Sequence, residues 1–142
     1  FVYNFLKFVE WPDQALENAP LRLYVMGTSS TARAFEELEG KQVHGQRLSV
    51  ETGKELSGCE QLQAVFLGAD IVDQWMHQNR ATLASCPVLT ISDSSGFIAQ
   101  GGMIELFKRG SKIRFKVNLR AARAAGLRIS SRLLSLAREI LK

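Results

Sequence analysis

Few side chains in this sequence could carry out chemistry, and they lie far apart. The two histidines, His44 and His77, fall in a polar strand-like stretch and a helical stretch. Neither has a partner at a spacing that would make it a base or a ligand, so both read as surface groups. No serine sits in a nucleophile-elbow motif. Asp93 ends an apolar run, where open α/β sheets often bind ligands, but a lone acid there is also an ordinary loop residue. The two cysteines, Cys59 and Cys86, have no C-x-x-C spacing and no histidine at ligand distance in sequence, which argues against zinc. Two buried thiols are expected if the protein is cytosolic, a disulfide if it is exported. The segment "SDSSGFIAQGG", Ser92–Gly102, could turn backbone amides towards an anion. It fits neither the Walker pattern nor G-x-G-x-x-G; Gly96 suits a turn, and Gly101 and Gly102 suit entry into a hairpin. These residues predict no catalytic centre, no metal and no cofactor.

Positive charge is the remaining chemical feature. From Lys108 onward there are eleven Lys or Arg against one acid, Glu139, a net of +10, while the first 107 residues hold seven against thirteen, a net of −6. An acidic body with a basic end suggests an oriented contact with something negative. In "LRAARAAGLRISSRLLSLAREILK" the arginines fall between apolar positions. Two helices with a "GLRI" link could mimic a helix-turn-helix, yet the second offers Ser, Leu and Arg rather than Asn or Gln, and it lacks stacking aromatics. A basic outer face packed inward by Leu and Ile is the favoured reading, and nucleic-acid binding the least favoured function.

These residues are positioned by elements that the pattern makes visible. The 142 residues, 46% hydrophobic and 23% charged, suit one compact domain over 1–142. "FVYNFLKFVEWP" predicts an aromatic-faced helix ending before Pro12, with aromatic side chains near the N-terminus available for a dimer surface. A strand over 21–26 precedes a helix with Ala32, Phe35 and Leu38 on one stripe, ending at Gly40. "QVHGQRLSVET" reads as one polar strand, and "LQAVFLGA" and "PVLTISD" as buried strands on either side of a helix capped by Asp70. "MIELF" and "KIRFKVN" form a hairpin, Asn118 caps a short helix that Gly126 ends, and a last helix runs from Ser130 to the end. The fold class is α/β and Rossmann-like: a mostly parallel central sheet flanked by helices, an antiparallel hairpin and two C-terminal helices.

Three segments taken together carry a resemblance. They are F-x-x-F-x-x-W-P (Phe5, Phe8, Trp11, Pro12), S-D-x-x-G-F-x-x-x-G-G-M-I (with Asp93, Gly96, Phe97, Gly101, Gly102), and N-x-x-x-A-x-x-A-G-L-x-I-S-S-x-L-L (with Asn118, Gly126, Leu127, Ser130). In this order and over nearly the whole chain, the sequence resembles the YfiR family. The resemblance implies a small non-enzymatic periplasmic domain, exported with its signal peptide removed. It implies a regulator acting by protein–protein contact on the sensor domain of a membrane-bound signalling protein, foremost a diguanylate cyclase, with a histidine kinase as the other partner class. Repression of the cyclase would lower cyclic di-GMP and biofilm formation. A homodimer is expected as well. The first motif reads as packing, the second as the ligand or switching loop, and the third as caps and turns. Cys59 and Cys86 each precede a central strand, so an exported chain whose strands are parallel neighbours is expected to bridge them. The alternative function is a small-molecule sensor using Ser92–Gly102.

Overall fold

In the computed structural model, residues 2–11, 21–27, 30–43, 45–51, 63–83 and 86–142 are described. Pro12, His44 and Cys59 lie outside them. The strands are β1 (Val9–Glu10), β2 (Leu21–Met26), β3 (Gln42–Val43), β4 (Gln46–Glu51), β5 (Ala64–Leu67), β6 (Leu89–Ser92), β7 (Ile104–Arg109), β8 (Lys112–Asn118), β9 (Arg128–Ile129) and β10 (Glu139–Leu141). The helices are α1 (Val2–Lys7), α2 (Ser30–Glu36), α3 (Val72–Leu83), α4 (Leu119–Ala124) and α5 (Ser131–Leu136).

Eight strands form one sheet in the order β10-β8-β7-β6-β5-β2-β4-β3. Strands β4, β2, β5, β6 and β7 run parallel, and β8 turns back antiparallel through the hairpin. This is the expected α/β architecture. The central strands β5 and β6 are buried at every residue, as their unbroken apolar runs require when both faces are covered. Alternate side chains feed two cores. Phe66, Leu89, Ile91, Ile104 and Phe115 join Phe5, Phe35 and Leu133 on one side. On the other, Val65 and Leu67 meet Val72, Trp75 and Met76 of α3 and the ring of Phe97. Phe5 packs edge-on to Phe115 with centroids 4.9 Å apart, and Phe35 stacks on Phe66 at 4.8 Å.

Three elements differ from the sequence reading. The polar stretch read as one strand is two antiparallel ones, Gln42 pairing with Arg47 and Val43 with Gln46, and Gly45 before the second takes φ +76°. The N-terminal helix stops at Lys7 and the chain extends into β1, which pairs antiparallel with β9. The last helix stops at Leu136. Ala137 turns extended at ψ 140°, Arg138 N–H donates to Phe115 O at 2.9 Å, and residues 139–141 continue as β10, parallel to β8. The helical spacing of Leu133, Leu134, Ala137, Ile140 and Leu141 gives way to the free edge of β8, which supplies a whole ladder of partners.

Candidate functional site

The segment between β6 and β7 is the part of the molecule that most needs explanation. It joins two parallel neighbours, a task usually given to an α-helix. Here residues 93–103 do it with one 3-10 turn, Ile98–Gln100. Phe97 makes this compact. Its side chain has no exposed surface and anchors the turn in the core under α3. Gly102 returns across the ring: a Cβ at that position would lie 2.2 Å from a Phe97 ring carbon. Gly102 N–H donates to Phe97 O at 3.0 Å, closing the loop. Gly96 and Gly101 take φ of +85° and +100°, the left-handed region where glycine is favoured.

Polar side chains hold the crossover from every side. Ser92 Oγ donates to Leu67 O at 2.6 Å and accepts from Ser94 N–H at 3.0 Å. Thr90 Oγ1 accepts from Met103 N–H at 3.0 Å. The buried Glu105 accepts from Ile98 N–H at 3.1 Å, and its other oxygen lies 3.9 Å from Lys116 Nζ, which also reaches Glu139 at 3.5 Å. Glu105, Lys116 and Glu139 are cross-strand neighbours on β7, β8 and β10, an arrangement that no local pattern in the sequence signals.

The other two motifs meet this loop. Asn118, 5% exposed, caps α4 by accepting from Ala121 N–H at 3.0 Å, and its amide donates to Ile98 O at 3.2 Å. Gly126, at φ +83°, and Leu127 form a paired helix stop. Gly126 N–H donates to Arg123 O at 3.0 Å, Leu127 N–H to Ala122 O at 2.9 Å, and the Leu127 side chain is buried. Ser130 caps α5 by accepting from Arg132 N–H at 3.1 Å, and its own N–H donates to Phe8 O at 2.8 Å. Phe5 and Trp11 are buried, and Trp11 Nε1 donates to Gln63 O at 2.8 Å. These buried rings cannot form the exposed aromatic surface expected of the N-terminus; Phe8 is half-buried under Arg132, whose guanidinium lies 5.8 Å from its ring centroid.

Two concavities adjoin the crossover, at opposite ends of the parallel strands. At the C-terminal ends, Thr31, Asp93, Phe107 and Lys108 border a cleft of about 170 Å³. Asp93 is half-buried there and accepts from Ala69 N–H at 3.2 Å. Gly27 and Gly68 follow β2 and β5 beside it and approach so closely that a Cβ on Gly27 would lie 2.9 Å from Gly68 Cα. At the other end a larger cavity, about 270 Å³, opens between α3, the start of β6, the crossover and α4. Apart from Asp93, Gln100 and Gly101, which fall in the Ser92–Gly102 loop, sequence reasoning missed the lining residues, because strand order alone brings them together.

The remaining candidates are dispersed. His77 is exposed on α3. Cys86, 1% exposed, lies before β6, and no cysteine among the described residues is free. Among the described residues no group of three or more His, Cys, Asp and Glu could hold a metal ion. No helix among the described residues is long and apolar enough to cross a membrane. The basic arginines at 120, 123, 128, 132 and 138 are exposed, while Ala122, Leu127 and Leu133 point inward. The link between α4 and α5 contains strand β9, so a helix-turn-helix is not formed.

The signature motifs thus form one connected structure: the first hydrogen-bonds to the third through Phe8, Val9 and Ile129, and the third to the second through Asn118. Comparison with known families agrees with that unity. The sequence profile described as YfiR/HmsC-like matches residues 1–138, nearly the whole chain. The chain therefore belongs to the YfiR/HmsC-like family, a family of regulators in the context of cyclic di-GMP signalling.

Proposed function

We propose that this protein is a periplasmic, non-catalytic repressor that binds the sensor domain of a membrane-bound diguanylate cyclase and restrains cyclic di-GMP synthesis. The observation that carries this reading is the family match over residues 1–138. The described geometry is compatible with it: the polar groups of the crossover are spent on holding it together. A histidine kinase sensor is the other partner class. The test is co-expression with the cyclase encoded nearest to this gene. Repression requires lower cellular cyclic di-GMP and co-purification with the cyclase's periplasmic domain. Unchanged cyclic di-GMP with no co-purification overturns the reading.

We further propose a bridge between Cys59 and Cys86. Its support is that β5 and β6 are parallel neighbours with Ala64 opposite Leu89, so the chain enters both strands from one end. Cys59 precedes Ala64 by five residues and Cys86 precedes Leu89 by three. A homodimer remains part of the proposal, supported by Leu136 and Leu141, the exposed large apolar side chains among the described residues. A concentration-independent monomer mass by light scattering removes it.

The ligand-sensing reading of Ser92–Gly102 draws support from the loop's outer parts, since Phe97 and Gly102 are committed to packing. Asp93 borders the smaller cleft, and Gln100 and Gly101 border the larger cavity.

A further inference from the structure

The 270 Å³ cavity has the makeup of a small-molecule site. It is lined by Met76 and Leu83 of α3, by Val88 and Met103 beside the ends of β6 and β7, by Ala121 of α4 and by Ala125, which caps that helix. The small alanine side chains on this side leave room that larger ones would take up. Methionine at two lining positions gives a surface that adapts to the shape of an apolar guest. An apolar cavity of about 150 Å³ already admits benzene, so this one has room for an apolar body of roughly six to eight carbons.

Polar groups border the apolar walls. Thr90 Oγ1 accepts from Met103 N–H, which leaves the hydroxyl proton to donate elsewhere. Gln100 is steadied by Asp73, to which its amide donates at 3.2 Å. Arg80, one turn before the end of α3, also lines the cavity and is exposed. It enters no ion pair among the described residues. Gly101 leaves open space where a Cβ would stand, so the crossover does not crowd the opening.

We infer that this cavity binds a small monocarboxylate with an apolar body, the body between α3 and α4 and the carboxylate on the Arg80 guanidinium. An unpaired guanidinium beside apolar walls selects an amphipathic anion over a neutral or cationic molecule, because its planar fork matches a carboxylate. The inference extends the ligand-sensing reading and does not depend on which cyclase or kinase is the partner.

The probe is octanoate, with octanamide as its uncharged counterpart, titrated by calorimetry into the intact protein. Three forms are compared: the natural sequence, Arg80→Gln, and Ala124→Phe, which places a ring at the cavity lining from an exposed helix position. Unchanged circular dichroism and melting temperature establish that both variants fold. The expected result is saturable one-to-one binding of octanoate, weakened about tenfold by Arg80→Gln while octanamide binding is unaltered. Ala124→Phe should abolish binding of both. No saturable heat at millimolar octanoate overturns the site, as does full binding by Ala124→Phe. Equal weakening of acid and amide by Arg80→Gln overturns the carboxylate recognition. Cyclase repression is scored separately, so loss of the site with repression intact leaves the regulatory reading standing.

Discussion

Gly102 and Phe97 act as a pair, and their pairing can be tested by adding one methyl group. Gly102→Ala would drive a Cβ into a ring that is buried on all sides. We expect it to cost about 2–3 kcal/mol, as overpacking does. Gly96→Ala should cost only about 1 kcal/mol, since its Cβ meets nothing and the penalty is the positive φ alone. Urea unfolding should therefore rank Gly102→Ala clearly below Gly96→Ala; equal midpoints would mean that the ring swings aside freely. Asn118→Asp separates the two duties of that side chain. The cap to Ala121 N–H survives, but the donor to Ile98 O is replaced by a carboxylate facing a carbonyl. A loss of about 1–3 kcal/mol is expected, and a fully stable variant would show that the amide contact is dispensable. The cap itself was legible in the sequence, as were the helix stop at Gly126 and the turn at Gly96, because such signals are local. The role of Phe97 was not. The sequence marks it as part of a motif, but only the return of the chain over its ring shows that the loop is built around a buried anchor.

At the scale of elements, the central strands were legible because burial on both faces writes an unbroken apolar run. The C-terminal element was misread because one set of spacings serves two structures. Leu133, Leu134 and Ala137 obey helical spacing, while Ile140 and Leu141 find their place in an edge strand. Extended pairing there rests on backbone groups, so it should be sensitive to proline and indifferent to side-chain identity. Arg138→Pro removes the N–H that donates to Phe115 O and should detach β10. Arg138→Ala should leave it in place. Amide hydrogen exchange reads the difference: faster exchange confined to β8 and β10 in the proline variant is the expected result. Protection unchanged in both variants would contradict the pairing. The strand order, and with it both concavities, could not be read from the chain, since pairing between β6 and β7 leaves no periodic mark on either.

Across the whole molecule, the polarised charge of the sequence becomes a polarised shape. Strands β7, β8 and β10 occupy one end of the strand order, and every Lys or Arg from 108 onward is exposed except the half-buried Lys116. A sensor domain that docks there should carry an acidic face. The bridge proposed between Cys59 and Cys86 also acts at this scale, because closing that loop restricts the unfolded chain. Reduction should lower the unfolding free energy by about 3–4 kcal/mol. Guanidinium unfolding with and without reductant tests this, and superimposable curves would exclude a stabilising bridge.

The pairing of β1 with β9 has a consequence for how the protein comes to be folded. Val9 lies opposite Ile129, 120 residues later, and Phe5 packs on Phe115. A chain emerging from its N-terminus presents its aromatic opening segment long before the strands that cover it exist. Closure of such distant contacts is slow, and exposed apolar surface in the interval invites aggregation. The domain therefore completes itself only when its last quarter arrives, and a chain that stalls before residue 128 leaves β1 without its partner strand.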